Sequence, residues 1–298
     1  MSEASVSTDR TTDLFEVDLA ESHDLRVAAI PRDRRIDERR YSVGLENVDR
    51  NAYLMHPGEF VVIGAREGEG KTSLCERIAM ANAREHRVLF VSLDMRPEIV
   101  QDRCLSKLML TGTEHVHWLE QTVDPKFGDG MRRLAEFDLM VWRPESERES
   151  SIDAILRRAE DVSAAILIID YCRLIYGWEP GTAAARVVNK LRSWTDKSMT
   201  TTILLAQLNN DAVNKRPHNG YIQDTTQIAQ RADRIMLIYR PYNGRPNKDN
   251  IAEIITSKNR IGPKVRNHVG WTGTTMDFYS LTEEEEDQAR CCRSSHPS

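Results

Sequence analysis

The chain has 298 residues, 40% hydrophobic and 29% charged, with a formal net charge of −5. That supplies material for a substantial core, no apolar run approaches the ~18 residues that span a bilayer, and the negative balance argues against a surface binding polyanions indiscriminately. Nucleic acid is not excluded, because much of the acid is concentrated between Glu283 and Asp287.

Residues 1–40 are rich in Ser, Thr, Asp and Arg, with short apolar patches at Leu14–Leu19 and Val27–Ile30. They read as a mobile arm, or as a linker that docks on a neighbouring subunit through Leu14, Phe15, Val17 and Leu19. The first twenty residues lack an apolar signal region, so no secretory signal is expected. From Tyr41 strands and helices alternate. Strands are expected at Phe60–Ile63, Val88–Leu93, Leu139–Trp142, Ala165–Ile169 and Thr202–Ala206, then at Ile235–Tyr239, Ile251–Ser257, Val265–Val269 and Met276–Tyr279. Helical patterns cover Thr72–Glu85, the region from Pro97 to Phe137, Ser151–Val162 and Ala183–Met199. Short apolar strands separated by helices predict an α/β domain over residues 41–280, with a mostly parallel central sheet, antiparallel edge strands and helices on both faces. Residues 281–298 read as a disordered acidic and polar tail. Five cysteines, Cys75, Cys104, Cys172, Cys291 and Cys292, show no metal-type spacing and no paired framework, which suits free thiols in a reducing cytoplasm.

The stretch GEFVVIGAREGEGKTSLCERIA, residues 58–79, carries the strongest chemistry. A strand, a loop with Gly64, Gly68 and Gly70, then Lys71-Thr72 and a helix form the setting of a phosphate-binding P-loop. The loop Ala65, Arg66, Gly68, Glu69, Gly70, Lys71, Thr72 and Ser73 is expected to hold a nucleoside triphosphate. Lys71 would reach the β- and γ-phosphates, and the Thr72 hydroxyl would hold Mg²⁺. Ala65 stands where the motif asks for its first glycine, which is tolerable if the local φ is negative. ILIIDY, residues 166–171, puts Asp170 at the carboxyl end of a buried strand, as a second metal-holding group. Asp94 ends the strand FVSLDM and would accept a proton from the attacking water; Gln207 ends LLAQLNN and would touch the γ-phosphate. Either could equally be an ordinary polar strand end. Lys258 and Arg260, in TSKNRIGPKV, are either a solvated basic edge or, in a ring, a cationic pair crossing to a neighbour's triphosphate.

Together and in this order these stretches resemble the C-terminal motor domain of the DnaB-type replicative helicases, a RecA-like P-loop NTPase fold. The resemblance runs from YSVGLENVDR at Tyr41 through IGAREGEGKTS, FVSLDM, IIDYCRLI, LLAQLNN and IAQRADRIMLIYR to AEIITSKNRIGPKV, and Ala65 is usual in that family. It implies a homohexamer hydrolysing ATP, with Mg²⁺, between subunits and moving 5′ to 3′ along single-stranded DNA. By position, Lys71 and Thr72 would serve phosphates and metal, Asp170 the metal, Gln207 the γ-phosphate, and Lys258 with Arg260 the neighbour's nucleotide. Asp94 stands where the family usually has glutamate. Gln223 stands where an arginine is expected in the DNA loop, and Lys215 and Arg216 would supply phosphate contacts instead. The family's N-terminal collar domain is not expected in the 40-residue arm, as in short phage or plasmid forms. A primase or helicase loader would be a partner and a membrane would not; the place of action would be the bacterial cytoplasm. The reading from a different class is a RecA-like nucleotide-dependent assembly, a loader or recombinase-type protein that binds DNA without unwinding it.

Overall fold

A computed structural model describes residues 39–209, 215–223, 226–243, 250–282 and 284–286. The expected arm and its Leu14–Leu19 stripe, Cys291, Cys292 and most of the expected tail lie outside these residues.

The strands are β1 (Phe60–Ala65), β2 (Val88–Ser92), β3 (Leu139–Trp142), β4 (Ile166–Asp170), β5 (Thr201–Gln207), β6 (Arg234–Tyr239), β7 (Ile251–Asn259), β8 (Arg266–Thr272) and β9 (Asp277–Ser280). They form a 9-stranded sheet in the order β3-β2-β4-β5-β1-β6-β7-β8-β9. Pairings are parallel from β3 to β6 and antiparallel from β6 to β9, as the sequence pattern predicts. The helices are α1 (Glu46–Ala52), α2 (Lys71–Asn82), α3 (Pro97–Met109), α4 (Thr113–Gln121), α5 (Pro125–Leu134), α6 (Ile152–Asp161), α7 (Thr182–Ser198) and α8 (Thr226–Arg231).

Every residue of β1, β2 and β4 is buried, because a parallel strand with helices on both faces has no solvated side. Alternation along β1 divides its side chains between two cores. Val61, Ile63 and Ala65 pack with Leu74 and Ile78 of α2, while Phe60 and Val62 pack with Val188 and Leu191 of α7. Each large apolar side chain so buried contributes about 1.5–3 kcal/mol, so the central strands are the rigid part of the frame. Cys75, Cys104 and Cys172 are buried.

Three boundaries differ from the sequence pattern, each for a local reason. The helical region 97–137 is three helices. Leu110 ends α3 in the left-handed region at φ 54°, and Asp124 caps α5 by accepting a hydrogen bond from the Lys126 amide at 2.8 Å, with Pro125 in the first turn. The last two strands sit one to three residues later than expected, because β8 runs on to Thr272 before a turn delivers Asp277 to pair with it. The tail is not wholly irregular. Thr282 caps a short helical turn, accepting from the Glu285 amide, and Glu286 accepts from the Asn47 side chain at 2.7 Å.

The registers place the chemistry. Ala65 of β1 lies beside Gln207 of β5, and Ser92 of β2 beside Asp170 of β4, all at the carboxyl edge of the parallel strands. Because β7 runs the other way, its end Asn259 pairs with Arg234 at the start of β6. Lys258 and Arg260 therefore lie at the amino edge, about 15–20 Å of strand away from the loop that follows β1.

Candidate nucleotide site

Ala65 is the last residue of β1, wholly buried and absent from the positive-φ residues, so its methyl group meets no conformational cost. The glycine that the loop cannot replace is Gly70. Its φ is +95°, and a Cβ there would meet the Phe278 ring at 2.8 Å. This residue turns the chain into α2, so that the helix amino terminus and the following residues face one cleft.

The cleft, about 470 Å³, is lined by Glu67, Gly68, Gly70, Lys71, Thr72 and Ser73 from the loop, with Asp94, Asp170 and Gln207 from three strand ends. The structure thus brings together residues 71, 72, 94, 170 and 207 from four separate segments. Ala65, Arg66 and Glu69 do not line it. Glu69 is buried and accepts from the Arg66 guanidinium at 2.7 and 3.0 Å, so this pair braces the loop from behind. The Ala65 and Arg66 carbonyls each accept from Lys71 Nζ at 3.2 Å. Burial lowers the Lys71 pKa, opposed by the Asp170 carboxylate.

Thr72 Oγ1 donates to Asp170 Oδ2 at 2.7 Å. Burial raises the Asp170 carboxyl from 3.8 to about 6, against the lowering effects of the Thr72 hydroxyl and the Lys71 charge. A hydroxyl and a buried carboxylate side by side are hard oxygen donors of the kind Mg²⁺ takes together with phosphate oxygens. Among the described residues no cluster of three or more His, Cys, Asp or Glu could hold an ion unaided. The pair fits a metal that arrives with a polyphosphate. Asp94 is exposed at the end of its strand, where its charge helps raise the pKa of Asp170 and, after burial, that of Tyr171. The Gln207 carbonyl accepts from the Gln223 amide at 3.0 Å, tying this strand end to the segment that follows.

Sequence reasoning missed five cleft residues, Glu67, Arg103, Tyr171, Trp271 and Met276, and also Arg240, which contacts the loop and the Trp271 ring. Arg103 donates to Ser73 Oγ at 2.8 Å and lies 2.7 Å from Glu76, which Lys107 also neutralises. Arg240 donates to the Gly68 carbonyl at 3.1 Å and covers the Trp271 ring at 4.1 Å. The available signal was weak: a lone arginine on a helix and an aromatic in a late strand.

The other expected residues lie elsewhere. Lys258 Nζ donates to the Ala229 and Gln230 carbonyls at 2.8 and 2.9 Å, and Arg260 Nη1 donates to Asp233 Oδ1 at 3.0 Å. Arg216 makes a two-pronged ion pair with the buried Glu253 at 3.0 and 3.2 Å, so its guanidinium already has a carboxylate partner. Lys215 is exposed. Gln223 donates to the Leu208 carbonyl and accepts from Arg173.

Comparison with known proteins agrees with this architecture. The sequence model of the DnaB-like helicase C-terminal domain matches residues 41–280. The chain is 28% identical over 266 residues to the replicative DNA helicase DnaB of Pasteurella multocida (strain Pm70), covering 82% of this chain and 56% of that protein. It is 27% identical over 252 residues to a probable plasmid replicative DNA helicase of Chlamydia psittaci, covering 80% of this chain and 54% of that one. The chain thus spans a little over half the length of these curated relatives. Among solved structures, an isolated ATPase domain superposes with a TM-score of 0.73 at 19% identity, covering 92% of this chain and all of that one. A DnaB-like replicative helicase described with its interactions with primase gives 0.72, also at 19% identity, covering 92% of this chain and 68% of that one. The fold is the mostly parallel, mixed-edge sheet of the RecA-like ATPases, and the chain belongs to the DnaB-like helicase C-terminal domain family.

Proposed function

We propose that this chain is the motor of a replicative DNA helicase: a homo-oligomer, a hexameric ring, that hydrolyses ATP at subunit interfaces and moves 5′ to 3′ on single-stranded DNA. Lys71 and the amides of the Gly68–Ser73 turn bind the triphosphate, and Lys71 neutralises its β- and γ-oxygens. Thr72 and Asp170 hold Mg²⁺, which would supply charge neutralisation on the phosphates. Water attacks the γ-phosphorus as the bond to the bridging oxygen breaks, giving ADP and phosphate. Asp94 takes the proton of that water, and Gln207 contacts the γ-phosphate.

The observation that carries the reading is the separation of the two charged edges. Lys71, Thr72 and Asp170 lie at the carboxyl edge, and Lys258 with Arg260 at the amino edge of the same sheet. A chain so built holds its own Arg260 away from its own nucleotide cleft, so in this reading a second copy supplies it. Exposed Tyr53 and Ile261 flank Arg260, the first 54% and the second 46% accessible, and a Cβ at Gly262 would meet the Tyr53 ring at 2.8 Å. Such an apolar flank suits a subunit contact.

Lys215, Arg216 and Gln223 belong to the DNA side of the reading, with Lys215 the cation that reaches phosphate. Primase or a helicase loader would engage the assembled ring, with no membrane partner, in a bacterial cytoplasm, and the likeness to a plasmid replicative helicase suits a phage or plasmid gene. Among the described residues no helix is long and apolar enough to cross a membrane. In this reading residues 41–280 are the motor and residues 1–40 its arm or linker. The in-chain bonds of Arg216 and Gln223 favour one second reading, an assembly or loader protein that binds DNA without unwinding it.

The test measures hydrolysis with and without single-stranded DNA, and displacement of a strand from a 5′-tailed duplex. Lys71→Ala and Arg260→Ala should each abolish both, and mixed assemblies of the two should recover activity. Hydrolysis stimulated by DNA with no strand displacement from well-formed rings would select the second reading.

A further inference from the structure

Arg260 is not simply projected into solvent. Its side chain is half exposed, 52% accessible, yet two guanidinium bonds and one backbone bond hold the residue in place. Nη1 donates to Asp233 Oδ1 at 3.0 Å, Nη2 to the Gln230 carbonyl at 3.4 Å, and its backbone amide to the Asp233 carbonyl at 3.0 Å. Asp233 is only 8% exposed. Its second oxygen accepts from the Phe60 amide at 2.9 Å and from Arg192, which is itself braced by Asp196. The carboxylate is therefore pinned to the first residue of β1, the strand that leads to the P-loop. Lys258 shares the platform. Its ammonium sits on the Ala229 and Gln230 carbonyls, the carbonyl end of α8, where the helix dipole favours a cation.

We infer that Asp233, with the carbonyl end of α8, is a cradle that presents Lys258 and Arg260 to the triphosphate of a second copy of this chain, and that Asp233 is the positioning residue of that trans contact. The charge count supports a cradle rather than a structural ion pair. Arg192, Lys258, Arg260 and Lys264 act on this spot around one buried carboxylate, so fixing Arg260 on Asp233 leaves the surface cationic and receptive to a polyanion. A long arginine loses rotamer freedom when it docks; holding it in one orientation beforehand removes that cost from the step in which it meets phosphate. A spare surface pair would need neither the buried acceptor nor the tie to β1. Amino-edge geometry thus reaches the neighbour's chemistry through one aspartate that touches no nucleotide.

The proposal rests on the trans reading above, and the experiment separates the two. Asp233→Asn in the full 298-residue chain puts an amide donor in the cradle. Its assembled hydrolysis kcat should fall about tenfold or more with KM for ATP within about twofold, since no residue of its own cleft is touched. Mixed assemblies of Asp233→Asn with Lys71→Ala should recover turnover, because each supplies the part the other lacks. If Asp233→Asn does not fold, Asp233→Glu carries the test: it keeps the charge but displaces the carboxylate by one methylene, and should lose about threefold, again recovered by mixing. Wild-type turnover in a folded Asp233 variant overturns the inference. So does a slow variant that Lys71→Ala cannot rescue while the mixture of Lys71→Ala with Arg260→Ala does recover. If that control mixture also stays inactive, the trans reading has failed and the cradle falls with it.

Discussion

The two edges of the central sheet are built on opposite principles. At the carboxyl edge, fully buried apolar strands end in single polar residues, Asp170 and Gln207, that converge on one cleft, and a glycine-rich turn replaces side chains with backbone amides. At the amino edge, charge is dense and already paired: Glu59 with Arg234, and Asp233 with Arg192 and Arg260. The first edge is a receptor whose polar groups are incomplete without a ligand. The second has its carboxylates paired within the chain and a surplus of cations around Asp233, with the Arg260 side chain half exposed. If the amino edge completes a second copy's site, as proposed, the two edges differ in which sign of charge each leaves uncompensated within the chain.

The strongest way to break this contrast is to remove one cation from each edge. Lys71→Ala should weaken nucleotide binding by a hundredfold or more, because among the described residues the half-buried Lys71 is the only side-chain cation from the loop that lines the cleft. Arg260→Ala should leave binding within about threefold while hydrolysis in the assembled protein falls by two to three orders of magnitude. Fluorescent-nucleotide titration beside steady-state hydrolysis distinguishes them; equal loss of affinity in both variants would mean that the edges are not functionally distinct.

A second comparison lies within the amino edge. Arg234 is wholly buried, bound to Glu59 at 2.7 Å and to the Tyr53 and Leu54 carbonyls at 2.6 and 3.1 Å. Arg234→Ala strands the Glu59 carboxylate in the interior, which costs about 3–5 kcal/mol. Arg260→Ala removes a half-exposed pair and should cost under about 1 kcal/mol. Urea unfolding of the two variants tests whether neighbouring arginines divide between architecture and chemistry.

Most of the carboxyl edge was legible in the sequence and most of the amino edge was not. Runs such as Val61–Ile63 and Ile166–Ile169 give buried parallel strands directly, and a strand's last polar residue falls at the ligand edge by topology alone. Arg103, Trp271 and Met276 escaped because they reach the cleft from segments whose only local signal is amphipathic packing. The partners of Arg216 and Arg260 escaped for a stronger reason. Glu253 and Asp233 are 37 and 27 residues away, and which carboxylate meets which guanidinium is set by sheet register. The break of residues 97–137 into three helices was available in Gly112 and Pro125, both ordinary helix punctuation.

Acid titration sharpens the idea that the carboxyl edge is incomplete alone. Asp170 is raised to about 6 by burial, so ionising it costs stability as pH climbs from 3.8 through that value, and the cost is fully present above it. A bound cation reverses the sign: below about pH 6 it must first displace a proton. Apparent Mg²⁺ affinity, read by titrating the metal in the presence of ATP, should therefore fall about tenfold per pH unit below 6 and level off above it. Asp170→Asn should be weak and flat across the same range. A flat profile in the unaltered protein would mean that Asp170 does not contribute to the metal.

The smallest expected effect is that of lengthening Asp94, which lines the cleft yet is exposed. An exposed carboxylate that lines the cleft can take one more methylene at little packing cost, and the added length extends its reach. Asp94→Glu should accordingly raise kcat by about two- to fivefold with little change in KM, whereas Asp94→Asn should lower it by a hundredfold or more if the group accepts the proton of the attacking water. The two substitutions pull apart reach and basicity: loss in both would mean that the position tolerates only the native length, and no effect in either would move proton acceptance to another group. A gain with Glu and a loss with Asn would mean that the cleft's general base is correctly placed in the sheet and held back only by the shortness of its side chain.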